Sequence, residues 1–232
     1  MILFREVTKT YGKEVALDHV NLQLEKGKIY GLVGANGSGK STTLKMIAGL
    51  VQPTSGQVVV NKKIATRKIA SDVAYLTELD MFYDGFTVKD MIAFSASQFP
   101  DFQQDKAAEL VKFMNLDSTK KIKNLSKGNR GRLKLVICLS RNVPVLLLDE
   151  PFSGLDPMVR ESIVKGILTY INFEEQTVII ATHEITEMEP LLDEMIAINN
   201  GKVIGQYPVD QLREEKGLTV LDWIKENIKH SY

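Results

Sequence analysis

Two segments of this 232-residue chain carry side chains whose order suggests chemistry on a phosphate. The first is Gly34-Ala35-Asn36-Gly37-Ser38-Gly39-Lys40-Ser41, which fits the pattern Gly-x-x-x-x-Gly-Lys-Ser/Thr. Glycines there let backbone N–H groups curl around phosphate oxygens without side-chain clash. A helix beginning near Lys40 would aim the positive end of its dipole at the same anion. Lys40 is then placed to neutralise β- and γ-phosphate oxygens, and Ser41 to offer its hydroxyl to Mg²⁺. The second segment is the apolar run Val145-Leu146-Leu147-Leu148, which ends in Asp149-Glu150. Ligands of parallel sheets sit beyond the C-terminal ends of the strands. Neighbours on a strand point to opposite faces, so two adjacent acids can take different jobs. Asp149 can hold the Mg²⁺ shell and Glu150 can polarise an attacking water. Alone, two acids ending a strand would more often cap a helix. Beside an upstream phosphate loop, the chemical reading is the stronger one.

The surrounding pattern supplies the elements that must hold these groups. Lys28 to Val33 reads as a short buried strand running into the loop, and Ser41 to Ala48 as a helix that Gly49 ends. Val143 to Leu148 is apolar throughout, as strands of a parallel sheet require. Thr177 to Thr182 reads as the next strand. The opening third alternates with period two, at Ile2, Phe4 and Val7, again from Ala16 to Leu24, and after a turn from Gln57 to Val60. From about Leu79 to Ser140 the spacing turns helical. Thr87 and Asp90 form a capping box, Asp105 to Asn115 carries Leu110, Val111 and Met114, and Leu133, Val136, Ile137 and Ser140 mark a third helix. Asp156-Pro157 starts another helix, whose buried side is read as Ile163, Val164, Ile167, Leu168 and Ile171. Asn200-Gly201 between Ile196–Asn199 and Val203–Gln206 is a hairpin signal. The tail from Leu218 to Ile228 is amphipathic through Leu221, Ile224 and Ile228. Cys138 and Trp223 read as core filler and packing.

Composition bounds the rest. Lys plus Arg and Asp plus Glu number 29 each, so no global positive field gathers nucleic acid, and no nucleic-acid partner is expected. One cysteine cannot form an internal bridge, which fits a reducing compartment. No run approaches the roughly 20 apolar residues that span a bilayer. The start, with charge following its apolar residues and no small-residue cleavage site, does not read as a signal peptide.

With four further stations in matching order, these motifs resemble the ATP-binding subunit of an ABC transporter over nearly the whole chain. Gly34 to Thr42 matches the phosphate loop, and Tyr75-Leu76-Thr77-Glu78 stands at the glutamine loop. Leu125-Ser126-Lys127-Gly128-Asn129 matches the signature, with Lys127 in place of a glycine and Asn129 in place of the glutamine. Ser153-Gly154-Leu155-Asp156 matches the D-loop and His183 the switch histidine. The resemblance implies that Ser126, Lys127, Gly128 and Asn129 serve a nucleotide held by a second subunit. It implies that Tyr11 stacks on adenine and that Glu150 and His183 are catalytic. Ser41 and Asp149 are the metal candidates. Glu78, an acid where the family has glutamine, is a further one, with an exposed loop acid equally open as its role. Similar glutamate-bearing segments in bacitracin- or multidrug-type exporters lean the reading toward export.

The expected fold is α/β: a P-loop NTPase (RecA-like) parallel-sheet core with an antiparallel β subdomain and a helical insert. Residues 1–78 and 141–210 would form the core with its β subdomain, 79–140 the helical part carrying the signature, and 211–232 a C-terminal amphipathic helix. The expected function is hydrolysis of ATP with Mg²⁺ by a head-to-tail pair of ATP-binding subunits, this chain with a second copy or with a related chain. That pair would drive a separate transmembrane permease from the inner face of the cell membrane, with the loop around Met81, Phe82, Tyr83 and Phe86 receiving the permease. The alternative is a soluble ABC-type ATPase without a membrane partner.

Overall fold

The structure, a computed structural model, describes residues 1–186 and 188–227. The described chain opens with antiparallel strands β1 (Ile2–Tyr11) and β2 (Glu14–Leu24), then enters a central sheet through β3 (Ile29–Val33) and helix α1 (Lys40–Ile47). Strands β4 (Ser55–Val60) and β5 (Lys63–Ile64) return to the antiparallel layer, and β6 (Val73–Leu76) joins the central sheet. Three helices follow, α2 (Val88–Gln98), α3 (Gln104–Phe113) and α4 (Lys127–Leu139). The chain then runs through β7 (Val145–Asp149), α5 (Pro157–Tyr170), β8 (Thr177–Ala181), β9 (Glu194–Asn199) and β10 (Lys202–Pro208). Helices α6 (Val209–Lys216) and α7 (Val220–Asn227) are the last described elements.

The antiparallel layer is ordered β2-β1-β4-β5 and the central sheet β10-β9-β3-β8-β7-β6. Strands β9, β3, β8, β7 and β6 are mutually parallel, and β10 closes one edge antiparallel to β9. Period-two alternation sorts their side chains into two cores, one on each face. Leu146, Leu148, Val178, Ile180, Met195 and Ala197 face the core that holds α2 to α5. Leu147, Ile179, Ala181, Ile196, Ile198 and Tyr30 face the core shared with α1 and the antiparallel layer. Each such branched or aromatic side chain contributes about 1.5–3 kcal/mol by leaving water. This double burial is why these strands read as unbroken apolar runs. It also sets the chemistry: Asp149 follows Val145 and Leu147 by steps of two and therefore emerges on the α1 face.

The expected elements are found, with several differences. Strand β6 carries no alternation long enough to be read, since it has four residues and takes its geometry from pairing with β7. On α5, Ile163, Ile167 and Ile171 are buried as expected, but Leu168 is 48% exposed. Val159 and Gly166 turn inward in its place because the helix is rotated toward α4 and Met114. The expected single C-terminal helix is two, because Gly217 adopts a left-handed φ of 63° and caps α6. The buried face of α7 centres on Val220 and Trp223, with Leu221 and Ile224 half-buried; Ile228 lies outside the described residues. The apolar loop after β6 splits. Tyr83 and Phe86 stack with Phe94 of α2, while Leu79, Met81 and Phe82 line a groove. Among the described residues, no helix is long and apolar enough to cross a membrane.

Thr87 caps α2 by accepting from the Asp90 N–H, and the Asp90 carboxylate accepts from the Thr87 N–H in return. Cys138 on α4 is buried, and burial pushes its thiol up to about 12. At pH 8 the folded chain therefore holds almost no thiolate there. Iodoacetamide at that pH should leave native protein unlabelled while labelling urea-unfolded chain promptly. Equal labelling rates, followed by mass spectrometry, would contradict this packing.

Candidate functional site

The phosphate loop joins the C-terminal end of β3 to α1 at the middle of the sheet. Two of its glycines are required by close approach. A Cβ at Gly34, whose φ is 155°, would come 2.1 Å from the Ile198 carbonyl oxygen. One at Gly39, whose φ is 116°, would come 2.7 Å from the Ala16 carbonyl oxygen. The loop is thus pressed between β9 and β2. Gly39 caps α1 with no side chain, which leaves the first N–H groups of the helix for an anion. The Ser38 hydroxyl is buried and has no hydrogen-bond partner among the described residues.

Lys40 is 5% exposed, and its ammonium donates to the carbonyls of Gly34 (2.8 Å) and Ala35 (3.1 Å). Burial pulls its pKa below the ordinary lysine range, opposed by the carboxylates of Glu150, Asp149 and Glu78. Its Nζ stands 4.0 Å from Glu150 Oε1. Asp149 is 2% exposed. Ser41 Oγ donates to its Oδ1 at 3.0 Å and Tyr75 Oη to its Oδ2 at 2.7 Å. Burial first, and then the bond to Asp149, hold the Tyr75 phenol far above its ordinary pKa, so it stays a donor.

Glu150 lies just past the strand with a left-handed φ of 48°, uncommon outside glycine, and its N–H donates to Ala181 O at 2.8 Å. Its Oε2 is 3.0 Å from His183 Nδ1, at the end of the next strand. A carboxylate, an imidazole and an ammonium thus converge on a cleft of about 460 Å³ whose walls include Tyr11, Asn36, Gly37, Ser41, Thr42, Glu78 and Ser153. Tyr11 is 48% exposed at the mouth, with Lys9 Nζ 4.9 Å from its ring centroid, so a broad ring face remains open to a base. Glu78 is exposed and faces the cleft, with no bond to Ser41 or Asp149 among the described residues. Its carbonyl accepts from Lys134 at 2.8 Å.

The signature residues stand apart: none of Ser126, Lys127, Gly128 or Asn129 lines that cleft. Ser126 caps α4, its Oγ accepting from the Asn129 N–H at 3.2 Å. Its hydroxyl hydrogen is left to donate elsewhere. Lys127 Nζ rests on the D-loop, where a Cβ on Gly154 would come within 2.1 Å of it. In the D-loop, Leu155 is buried and Asp156 caps α5 through the Val159 N–H at 3.0 Å.

Four residues missed by sequence reasoning tie these parts together. Tyr75 holds Asp149. Arg130 pairs with Asp80 at 2.6 Å and Lys134 donates to the carbonyl of Glu78, so α4 fastens the loop after β6. Arg160 donates to Leu155 O at 2.8 Å and to Glu184 at 2.9 Å, joining the D-loop to the segment after His183. Cations on α4 three and seven residues after Lys127 were the available signal for the first pair.

The donor set fits Mg²⁺. Ser41 and Asp149 present hard oxygens side by side, and Mg²⁺ characteristically takes one or two protein oxygens with the rest from phosphate and water. Among the described residues no group of three or more His, Cys, Asp or Glu side chains could hold a metal unaided.

The profile of the family described as ABC transporter matches residues 17–153. The bacitracin transport ATP-binding protein BcrA of Bacillus licheniformis is 31% identical, over 90% of this chain and 70% of its own length. A probable sulfate/thiosulfate import ATP-binding protein CysA of Chlorella vulgaris is 33% identical, over 88% of this chain and 89% of its own. The dimeric structure of the ABC transporter cassette MJ0796 superposes with a TM-score of 0.80 at 26% identity, covering 90% of this chain and 98% of the other. A post-hydrolysis state of that cassette, bound to ADP and Pi, gives 0.79 at 25% identity.

Among the described residues lining the cleft, Lys40 carries the one ammonium. Lys40→Ala should lose roughly ten- to a hundredfold in ATP affinity by calorimetry, the scale of about 1.5–3 kcal/mol for hydrogen bonds to a charged group. Wild-type affinity would remove Lys40 from the nucleotide site.

Proposed function

This chain belongs to the ABC transporter family, and from that membership we propose that it is the ATP-hydrolysing subunit of an exporter, closing head-to-tail with a second cassette on two Mg-ATP. One observation carries the pairing. Lys40, Ser41, Glu150 and His183 line one cleft, with Asp149 bonded to Ser41 behind it, whereas none of Ser126, Lys127, Gly128 and Asn129 lines it; Lys127 reaches only the adjoining pocket, beside Glu78 and Ser153. A second chain supplying its Ser126, Lys127, Gly128 and Asn129 would complete that cleft.

In this reading the loop N–H groups of Gly34 to Thr42, with Lys40, grip the β- and γ-phosphates, and Tyr11 stacks on the base. Ser41 and Asp149 would hold Mg²⁺, which would supply positive charge to offset that of the phosphates. Glu150 takes the proton of the attacking water, and His183, bonded to Glu150, holds that carboxylate toward the γ-phosphate. Glu78 lines the cleft as an acid whose negative charge favours the protonated form of Lys40. Contacts to the γ-phosphate by the partner signature exist only in the closed pair, which is the differential affinity closure needs. Hydrolysis removes them and the pair opens. The D-loop, Ser153 to Asp156, lies beside Lys127 and carries the signature's position to its own cleft.

The same reading divides the chain into a nucleotide-binding core with its β subdomain (1–78 and 141–210), a helical subdomain (79–140) and C-terminal helices from 211 onward. Between the first two lies a groove of about 560 Å³ with Leu79 (64% exposed), Met81 (72%), Phe82, Phe94 and Phe99 on its walls. We assign it to a transmembrane permease, which places the chain on the cytoplasmic face of the membrane. That use for so much exposed apolar surface disfavours the soluble alternative. Export rests on Glu78 in the glutamine position, with the bacitracin transport relative alongside it.

Two measurements test this. Glu150→Gln should bind ATP with near wild-type affinity while turnover falls at least about a hundredfold, the scale of general-base catalysis. Unchanged turnover removes Glu150 from that role. Specific ATPase activity of the purified chain should rise with concentration, because the site needs two copies. Strict proportionality to enzyme in a chain shown to be monomeric would overturn the shared site.

A further inference from the structure

Asp149 is dry, at 2% exposure, so its carboxylate oxygens must find hydrogen-bond donors within the protein. They come from opposite sides. Ser41 Oγ reaches Oδ1 from α1 at 3.0 Å, and Tyr75 Oη reaches Oδ2 from the neighbouring strand at 2.7 Å. The second contact has the length of a charge-assisted bond. Its geometry follows from the sheet. Tyr75 pairs with Leu147 in the parallel β6–β7 register, and both face the α1 core, as does Asp149 two residues further on. The phenol is long enough to bridge that step; a phenylalanine would fill the same space without the donor.

We propose that Tyr75 is the positioning residue of the metal carboxylate: its phenol fixes the rotation of the Asp149 side chain, so that Oδ1 stays turned toward Ser41 and the cation. A cation arriving at Ser41 and Oδ1 displaces the Ser41 hydrogen bond. Tyr75 then becomes the one described side-chain donor still holding the carboxylate. This rests on the assignment of Asp149 to the metal.

The test uses Tyr75→Phe, with Mn²⁺ as the probe. Mn²⁺ binding to the chain saturated with a non-hydrolysable ATP analogue is followed by electron paramagnetic resonance. Nucleotide affinity in EDTA is measured separately. Loss of such an outer partner costs roughly ten- to a hundredfold in metal affinity. The expected result is that loss for Mn²⁺, with metal-free nucleotide affinity unchanged. Wild-type Mn²⁺ affinity overturns the proposal, and so does an equal loss of metal-free nucleotide affinity, which marks a merely structural tyrosine. Asp149→Asn is run in parallel: if it too binds Mn²⁺ as wild type does, the metal assignment itself has failed. Wild-type chain grown with 3-fluorotyrosine gives a readout that needs no substitution. The Tyr75 fluorine resonance should shift when Mg²⁺ joins the nucleotide-loaded chain, and a resonance that stays put overturns the proposal.

Discussion

Two opposite charges are kept dry at the C-terminal edge of one parallel sheet, and the rest of the site is arranged around that constraint. Lys40 and Asp149 are both at most 5% exposed. An ion moved out of water costs several kcal/mol unless it is paired and hydrogen-bonded. Here the loop compensates Lys40 with its own carbonyls, and Ser41 and Tyr75 compensate Asp149. A triphosphate with its cation is the ligand that can take over these bonds, since it brings anionic oxygens to the ammonium and a positive charge to the carboxylate. The preference for that ligand is therefore built into the cost of leaving either ion bare.

The same edge explains how separate stations come to act on one cleft. Parallel strands end together, so β3 delivers the loop, β7 delivers Asp149 and Glu150, and β8 delivers His183 within a few residues of one another. Helix α4 stands outside this row and is tied to it by side chains. Arg130 and Lys134, one turn apart, hold Asp80 and the carbonyl of Glu78. Arg160 holds the D-loop to Glu184. The start of α4 is therefore fastened through one helix to the loop that faces the cleft, a connection the proposed two-chain site could use.

How much of this is legible in the sequence follows from which contacts are local. The phosphate loop, the Asp149-Glu150 strand end, the Thr87 cap and the Asn200-Gly201 hairpin are written in consecutive residues, and each is found where its spacing puts it. Strand β6 is not legible, because four residues hold too little pattern and only pairing with β7 makes them a strand. Tyr75, Arg130, Lys134 and Arg160 escape for the same reason: each acts on a group between 5 and 74 positions away, or on a backbone carbonyl that no motif records. The tail reads as one helix because amphipathic spacing resumes after Gly217, whereas the break depends on a single left-handed residue.

Ser126 shows why a structure of one chain leaves the signature looking ordinary. Read by position alone, a serine before a helix is a cap, and a cap is what it forms here. Capping uses an acceptor lone pair of the hydroxyl and none of its donor capacity. Behind it, the N-terminus of α4 adds the positive end of a helix dipole, and Lys127 adds a full charge. The structural and the proposed binding roles thus use different atoms of the same few residues and do not compete. Folding of α4 thus leaves, outside the chain's own phosphate cleft, a hydroxyl donor and a positive charge suited to an anion, which in the proposed pair the second cassette's nucleotide would supply.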